Sequence, residues 1–256
     1  MSGARVLVVE HEDGTGPAQF GERLAEQGLV IDLCRPWAGD TLPRTLDAYD
    51  GLLVLGGSMG PHDEEQAPWL PQVRKLLRQA VTWDLPTLGI CLGMELLTVA
   101  CGGEVRHAAL PEVGLNDLIP HQAAFTDPLF APLVNQDSWL RAVQWHWEET
   151  ATLPEGAVPL LTSERCTHQA YRIGTAVWGV QFHPEVLADD IRTWGAADVA
   201  PLHALGLEPG EVVAEVGREE KRLRTLWGAF AEQWGYMVAD GPGPSARQRI
   251  AVERRP

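Results

Sequence analysis

Short apolar runs alternate with amphipathic stretches in the N-terminal part of the chain. The apolar runs Arg5–Val9, Leu29–Leu33 and Gly51–Leu55 predict strands buried on both faces, as inside a parallel sheet. Apolar side chains at helical spacing predict amphipathic helices at Pro17–Gln27, between the first two runs, and at Pro68–Thr82, after the third. The alternation predicts an α/β fold, a doubly wound and mostly parallel sheet with helices on both faces.

The pattern changes in the second half of the chain. Strands are expected near 102–105, 143–148 and 176–186, and both 111–119 and 125–130 are expected to form strands and loops of a meander on the flank of the sheet. Short helices are expected at 189–194 and 201–207, followed by one long helix over 210–237.

The long helix carries an apolar stripe at helical spacing, formed by Val216, Leu223, Trp227, Phe230 and Trp234. Packing of this stripe on the sheet is the favoured interpretation, and a docking face for a partner is the alternative. We expect residues 1–240 to form one domain, with about 189–238 as a C-terminal helical extension. The low-complexity basic segment 241–256 is expected to be a disordered tail.

The segment Leu85–Leu97 combines a buried strand, a glycine-framed corner and a helix start. Cys91 stands at the corner between Gly89 and Gly93, where the glycines let the backbone turn sharply and present the side chain above the sheet. The helix start is expected to favour the thiolate form of the cysteine. A small buried cysteine at a strand end is the structural alternative, but the glycine frame favours a nucleophile.

A second strand, 176–182, ends in His183-Pro184-Glu185. Pro184 favours an extended conformation for His183, and side chains two apart in an extended chain project from the same side. Glu185 is therefore expected to orient the His183 imidazole. With Cys91, the set predicts a nucleophile, a base and an orienting carboxylate.

These two motifs, Gly89-Ile-Cys-Leu-Gly93 and Gln181-Phe-His-Pro-Glu185, resemble those of the class I, triad-type glutamine amidotransferases, whose fold is flavodoxin-like. From about Val6 to Val186 the chain is similar to the glutaminase part of GMP synthetase. The resemblance implies Cys91 as nucleophile, His183 as general base and Glu185 as its orienting group.

A glycine cluster, Gly56-Gly57-Ser58-Met59-Gly60, follows the third predicted strand. Such a loop can turn backbone N–H groups toward an anion, although no Walker lysine follows it and an ordinary strand-end turn is the alternative. The resemblance implies that Gly57 supplies one oxyanion N–H and Leu92 the other, with Gly56 beside the substrate.

The same resemblance makes Trp145, His146 and Trp147 candidate substrate contacts, although edge packing is an alternative for the tryptophans. Family members usually carry Gln where this chain has Glu95. Either the position tolerates an acid, or Glu95 pairs with an ammonium group and favours substrates that present an amine. A metal site at His146 and His168 has no supporting ligand spacing, so no metal and no organic cofactor are expected.

Composition and charge limit the classes of partner that the chain is expected to bind. The net charge of -15 argues against nucleic acid or an anionic membrane as a partner. Cys34, Cys91, Cys101 and Cys166 form no Cys-x-x-Cys pair, and the first strand follows the N-terminus directly, so no signal peptide is expected. A soluble, cytoplasmic enzyme acting on a small molecule is the resulting expectation.

Three functions follow from the resemblance. The first is hydrolysis of the glutamine side-chain amide through a cysteinyl acyl-enzyme, releasing ammonia for an unidentified synthase; the chain carries no ATP-binding motif of its own. The second is a free-standing hydrolase of γ-glutamyl amides or amines. A non-catalytic regulatory protein on the same fold is the third, and the intact Cys, His and Glu set argues against it.

Overall fold

A sheet of eight strands forms the centre of the molecule in the computed structural model, which describes residues 3–136 and 139–241. In chain order the strands of the molecule are β1 (Arg5–Val9), β2 (Val30–Cys34), β3 (Gly51–Val54), β4 (Thr87–Ile90), β5 (Glu104–Asp117), β6 (Ile119–Pro120), β7 (Arg141–Thr152), β8 (Val158–Thr162), β9 (Ala170–Ile173) and β10 (Val177–Val180). The sheet has the order β2-β1-β3-β4-β10-β9-β8-β6.

Five neighbouring strands, from β2 to β10 in that order, are parallel, and β9, β8 and β6 extend the sheet with antiparallel pairing. The carboxyl ends of β1, β3, β4 and β10 therefore meet at one edge, where ligands bind in open α/β sheets. The remaining strands, β5 and β7, form a separate antiparallel ribbon.

Helices cover both faces of the sheet, as predicted. They are α1 (Ala18–Glu26), α2 (Leu70–Trp83), α3 (Leu92–Ala100), α4 (Ala131–Val134), α5 (Ala188–Ala197), α6 (Val199–Ala204) and α7 (Pro209–Asp240). Alternate residues of β1 enter different cores: Val6 and Val8 pack with α1 and α7, and Leu7 and Val9 with α2 and α3. This alternation follows from the period of two in a strand. The doubly wound α/β class is confirmed.

The apolar stripe of the long C-terminal helix α7 packs on the sheet. Its five predicted positions, from Val216 to Trp234, are each 1% exposed or less. Trp227 lies 4.8 Å from Phe182 between ring centroids, and its indole N–H donates to the Arg141 carbonyl. The packing interpretation is therefore confirmed for this stripe, and it places α7 directly behind the strand end that carries His183.

One local expectation needs correction. The 125–130 stretch forms no strand, but a 3-10 turn at Gln122–Thr126 and then the approach to α4. The Asp127 carboxylate accepts hydrogen bonds from the Leu129 and Phe130 N–H groups, which favours a turn over an extended chain. Residues 111–117 are the end of the long ribbon strand β5, and Ile119 begins β6 at the edge of the main sheet.

Within the described ranges, no helix combines the length and apolar character needed to cross a membrane. The predicted tail falls outside those ranges from residue 242 onward.

Candidate active site

Cys91 lies at a sharp turn between β4 and α3, at the edge where the parallel strands end. Its backbone has φ 50° and ψ -110°, a conformation that residues other than glycine rarely adopt. A Cβ at Gly93 would lie 2.1 Å from the Val54 carbonyl oxygen, and one at Gly89 would lie 2.5 Å from the Gly93 carbonyl oxygen. The glycine frame is therefore a steric requirement of the turn.

The thiol of Cys91 lies in an environment that disfavours its ionisation. Burial is the largest cause, and the carboxylates of Glu95 and Glu185 add to it, so that the pKa of Cys91 is raised well above its usual value. Hydrogen bonds from the Leu92 N–H and the Gln181 amide oppose the rise. The Leu92 N–H at the helix start lowers the pKa of Cys91 as expected, but burial and the two carboxylates outweigh it and favour the thiol in the free chain.

His183 and Glu185 form the contact that the motif predicts. The His183 Nδ1 lies 2.7 Å from Glu185 Oε1, and both side chains are buried. A neutral imidazole that donates from Nδ1 to this carboxylate has its lone pair on Nε2. The backbone N–H of His183 donates to the Val143 carbonyl at 2.8 Å, which anchors the residue to β7.

Further contacts fix the imidazole and its partner. At the start of α1, Gln19 donates its backbone N–H to the Glu185 carbonyl and its side-chain amide to the Pro184 carbonyl. The Trp194 ring meets the His183 ring edge to face at 4.8 Å between centroids. These contacts restrict both members of the pair.

Gly56 separates the histidine from the cysteine. A Cβ at this position would lie 3.0 Å from His183 Cε1 and 3.6 Å from Cys91 Cβ. Cys91 and His183 also line one cavity of about 740 Å³. The structure therefore brings the cysteine and histidine of the two sequence motifs to the same cavity, with room for a ligand beside them.

The glycine loop after β3 borders this cavity. A Cβ at Gly57 would lie 3.0 Å from Leu92 Cδ2, so the two residues expected to supply oxyanion N–H groups are neighbours. The Glu12 carboxylate holds the loop, accepting from the Ser58 N–H at 2.8 Å and from the Ser58 hydroxyl at 2.6 Å.

The candidate substrate contacts Trp145, His146 and Trp147 all line the cavity, as does Glu95. Glu95 is 4% exposed and accepts a hydrogen bond of 2.9 Å from Gln181 Nε2. Burial, assisted by the nearby charge of Glu148, raises the pKa of Glu95 to about 7. Glu95 therefore changes its charge near neutral pH.

His146 belongs to a second polar cluster, behind the cavity. Its Nε2 lies 3.4 Å from Glu112 Oε2, and donor atoms of Glu112, His146 and Cys166 lie within 4.8 Å of one another. A borderline-soft metal ion takes such ligands. The Glu112 carboxylate already accepts hydrogen bonds from the Ser163 hydroxyl and the Gln169 amide, so the cluster also functions as a hydrogen-bonded network without an ion. His168 is not a member of it.

Several residues at the cavity had no assigned role from sequence. Glu12, Glu148 and Trp194 line it, and Gln181 links Glu95 to Cys91, with its Nε2 3.8 Å from the sulfur. Gln181 stands inside the second motif and Glu148 directly follows Trp147, so position in the sequence points to both. Nothing in the local sequence points to Glu12 or Trp194, since only the fold brings them to the site.

Comparison with known proteins agrees with the resemblance that the two sequence motifs carry. A family model described as glutamine amidotransferase class-I matches residues 22–193. The chain is similar to the glutamine amidotransferase-like protein YfeJ of Salmonella typhimurium, with 30% identity over 73% of this chain and 78% of that protein. It is also similar to gamma-glutamyl peptidase 3 of Arabidopsis thaliana, with 28% identity over 65% of this chain and 67% of that protein.

The glutamine-hydrolysing GMP synthase of Bacillus subtilis is 32% identical over 56% of this chain, and the match spans only 27% of that protein. Among solved structures, a glutamine amidotransferase from Thermotoga maritima superposes with a TM-score of 0.80 at 27% identity, covering 92% of this chain and 99% of that one.

Proposed function

The chain belongs to the class-I glutamine amidotransferase family, and from this premise we propose that it hydrolyses a γ-glutamyl side-chain amide through a thioester on Cys91. The observation that carries the proposal is the arrangement at the sheet edge. A cysteine on a sterically enforced turn shares a cavity with a histidine whose Nδ1 lies 2.7 Å from a buried carboxylate.

In the first step the Cys91 sulfur attacks the amide carbon, and His183 Nε2 takes the thiol proton. General-base assistance is needed because the raised pKa of Cys91 leaves it as a thiol in the free chain. The Glu185 carboxylate keeps the proton on His183 Nδ1 and stabilises the imidazolium that forms. The oxyanion of the tetrahedral intermediate is proposed to lie against the Gly57 and Leu92 N–H groups, where a lost donor costs about 3 kcal/mol.

In the second step the C–N bond breaks. His183 gives its proton to the leaving nitrogen and then activates a water molecule, which attacks the thioester and releases glutamate from Cys91. The groups named on this chain supply each proton transfer, so the proposed reaction needs only water as co-reactant.

The fate of the leaving nitrogen separates two candidate functions. In the first, glutamine is the substrate and ammonia passes to a separate synthase, which is supported by the similarity to part of a GMP synthase. In the second, the chain is a free-standing γ-glutamyl hydrolase. Glu95 at the position of the usual glutamine supports the second, as does the similarity to a gamma-glutamyl peptidase.

The test is glutamate and ammonia release from L-glutamine by the purified chain, compared with Cys91→Ala. Cys101→Ser is the matched control, since Cys101 is not among the residues that line the cavity. Rapid acid quenching followed by mass spectrometry of the Cys91 peptide reports a glutamyl thioester even where turnover awaits a partner. We expect release of glutamate and ammonia, or a glutamyl thioester on Cys91, in both the wild type and the Cys101→Ser variant. Hydrolysis that persists in the Cys91→Ala variant would refute the proposed mechanism.

A further inference from the structure

The cavity at Cys91 is large and its wall is acidic. Its volume of about 740 Å³ falls in the range of sites that enclose drug-sized ligands, about 300–1,000 Å³. The three cavity tryptophans, Trp145, Trp147 and Trp194, stand edge to face, with Trp145 5.9 Å from Trp194 and 6.4 Å from Trp147 between ring centroids. Room therefore remains beyond a glutamyl group, beside aromatic faces.

Carboxylates dominate the wall of this cavity. Six acidic residues line it: Glu12, Asp13, Asp63, Glu95, Glu148 and Asp198. Within residues 3–136 and 139–241, no lysine or arginine is among the lining residues, and the basic side chains there are histidines. The cavity therefore favours cations over anions.

Two of these carboxylates accept hydrogen bonds from neutral donors, which leave their negative charge in place. Asp63 accepts from the Gly60 N–H at 2.7 Å, and Asp198 accepts from the Trp145 indole at 2.8 Å. Such hydrogen bonds hold the carboxylates in position without cancelling their charge. Together with the tryptophan faces, which attract cations, they form a surface suited to an ammonium group.

Glu95 connects this surface to the reacting atoms. It is buried near the Glu148 charge, and both residues line the cavity. Gln181 Nε2 donates to Glu95 and also approaches the Cys91 sulfur at 3.8 Å. An ammonium group beside Glu95 would offset one of the two carboxylate charges that raise the pKa of Cys91, so a cationic substrate would also ease loss of the thiol proton.

We propose that the substrate is the γ-glutamyl amide of a diamine or polyamine, whose free ammonium group binds the acidic cavity wall beside Glu95. The proposal rests on the γ-glutamyl hydrolysis proposed above and names its leaving group. Cys91 forms the thioester, the amide C–N bond breaks, and the amine departs with the proton that His183 carries. Water then releases glutamate.

The experiment compares three γ-glutamyl amides whose amine portions have equal chain length and differ in their end group. They are the amides of diaminobutane, butylamine and aminobutyrate, which end in an ammonium, a methyl and a carboxylate group. Glutamate release gives kcat/KM for each, with L-glutamine as a fourth substrate. We expect the ammonium compound to exceed the methyl compound by at least about tenfold, the equivalent of 1.4 kcal/mol, and the carboxylate compound to be slowest.

Variants test the residues that carry the preference. Glu95→Gln and Glu148→Gln are expected to reduce the ratio between the ammonium and methyl compounds, while Glu155→Gln, which removes an exposed charge away from the cavity, keeps it. Cys91-dependent hydrolysis at equal rates for all three amides would overturn this inference and leave the proposed function standing. Failure of every amide and of glutamine, with no thioester on Cys91, would remove the proposed function itself.

Discussion

The backbone at Cys91 offers a direct test of the turn that presents the proposed nucleophile. Its φ of 50° and ψ of -110° lie outside the regions favoured by residues with a Cβ, and such strain costs on the order of 1–3 kcal/mol. Glycine adopts positive φ without this cost. Replacing Cys91 by Gly should therefore relieve strain that replacement by Ala retains.

The magnitude follows from comparison with an unstrained cysteine. Cys34 ends strand β2 with a negative φ and is 7% exposed, against 6% for Cys91. At an ordinary strand position Gly is less stable than Ala by about 0.5–1 kcal/mol. At position 91 relief of strain should reverse the order, leaving Gly more stable than Ala by roughly 0–2.5 kcal/mol when the two estimates are combined.

The assay is urea unfolding of four variants, Cys91→Gly, Cys91→Ala, Cys34→Gly and Cys34→Ala. The difference between the Ala-to-Gly changes at the two positions isolates the strain at Cys91, because each pair differs only in the Cβ. Both Cys91 variants should lack hydrolytic activity, so stability and activity would separate at this residue. If Gly is less stable than Ala by the same margin at both positions, the turn stores no strain and the reasoning fails.

Three further predictions concern the surroundings of the site. Gly56→Ala would insert a Cβ 3.0 Å from His183 Cε1 and should lower kcat by on the order of a hundredfold by displacing the imidazole; an unchanged kcat would contradict this. The pKa of Glu95 is raised from 4.5 to about 7 by burial, so the folded state holds a proton that the unfolded state has lost. Its contribution to stability is therefore present below about pH 4.5 and lost as the pH rises to about 7. Glu95→Gln should thus gain up to roughly 3 kcal/mol relative to wild type across this window, measured by urea unfolding at each end; a pH-independent difference would refute the shift. Trp227→Ala should lower the free energy of unfolding by roughly 3–5 kcal/mol. It should also reduce kcat, because the Trp227 ring packs 4.8 Å from that of Phe182, the residue before His183. A less stable variant that keeps the full kcat at low temperature would contradict the effect on activity.

Hydrophobic periodicity was sufficient for the architecture because four of the five parallel strands, β1, β3, β4 and β10, are buried on both faces. Arg5–Val9 was predicted with the bounds that the structure gives, and the α7 stripe was correct because helical spacing leaves one buried face. The region around 125–130 failed because its conformation depends on the Asp127 side chain. That carboxylate caps the following turn and also binds Arg172 and Trp178, which are distant in sequence.

The residues of the site likewise fall into those that local sequence predicts and those that only the fold brings together. The Cys91 turn and the contact between His183 and Glu185 were predictable, since each depends on residues within two positions of one another. The ionisation state of Cys91 was not predictable from the helix start, because it is set by burial and by charges that the fold brings in. Glu12 and Trp194 reach the cavity from distant parts of the chain, and no local pattern could place them there.

One electrostatic arrangement accounts both for the raised pKa of Cys91 and for the proposed ligand. Glu95 raises the pKa of Cys91, and its own ionisation is in turn opposed by burial and by Glu148. Coupling between two sites is reciprocal: a cation that favours loss of the thiol proton is bound more tightly, by the same factor, once that proton is lost. A cation at Glu95 would thus stabilise the charge that develops on sulfur during attack. An acid next to a nucleophilic cysteine would only hinder catalysis with a neutral partner, whereas with an ammonium-bearing substrate it makes activation of Cys91 depend on occupation of the cavity.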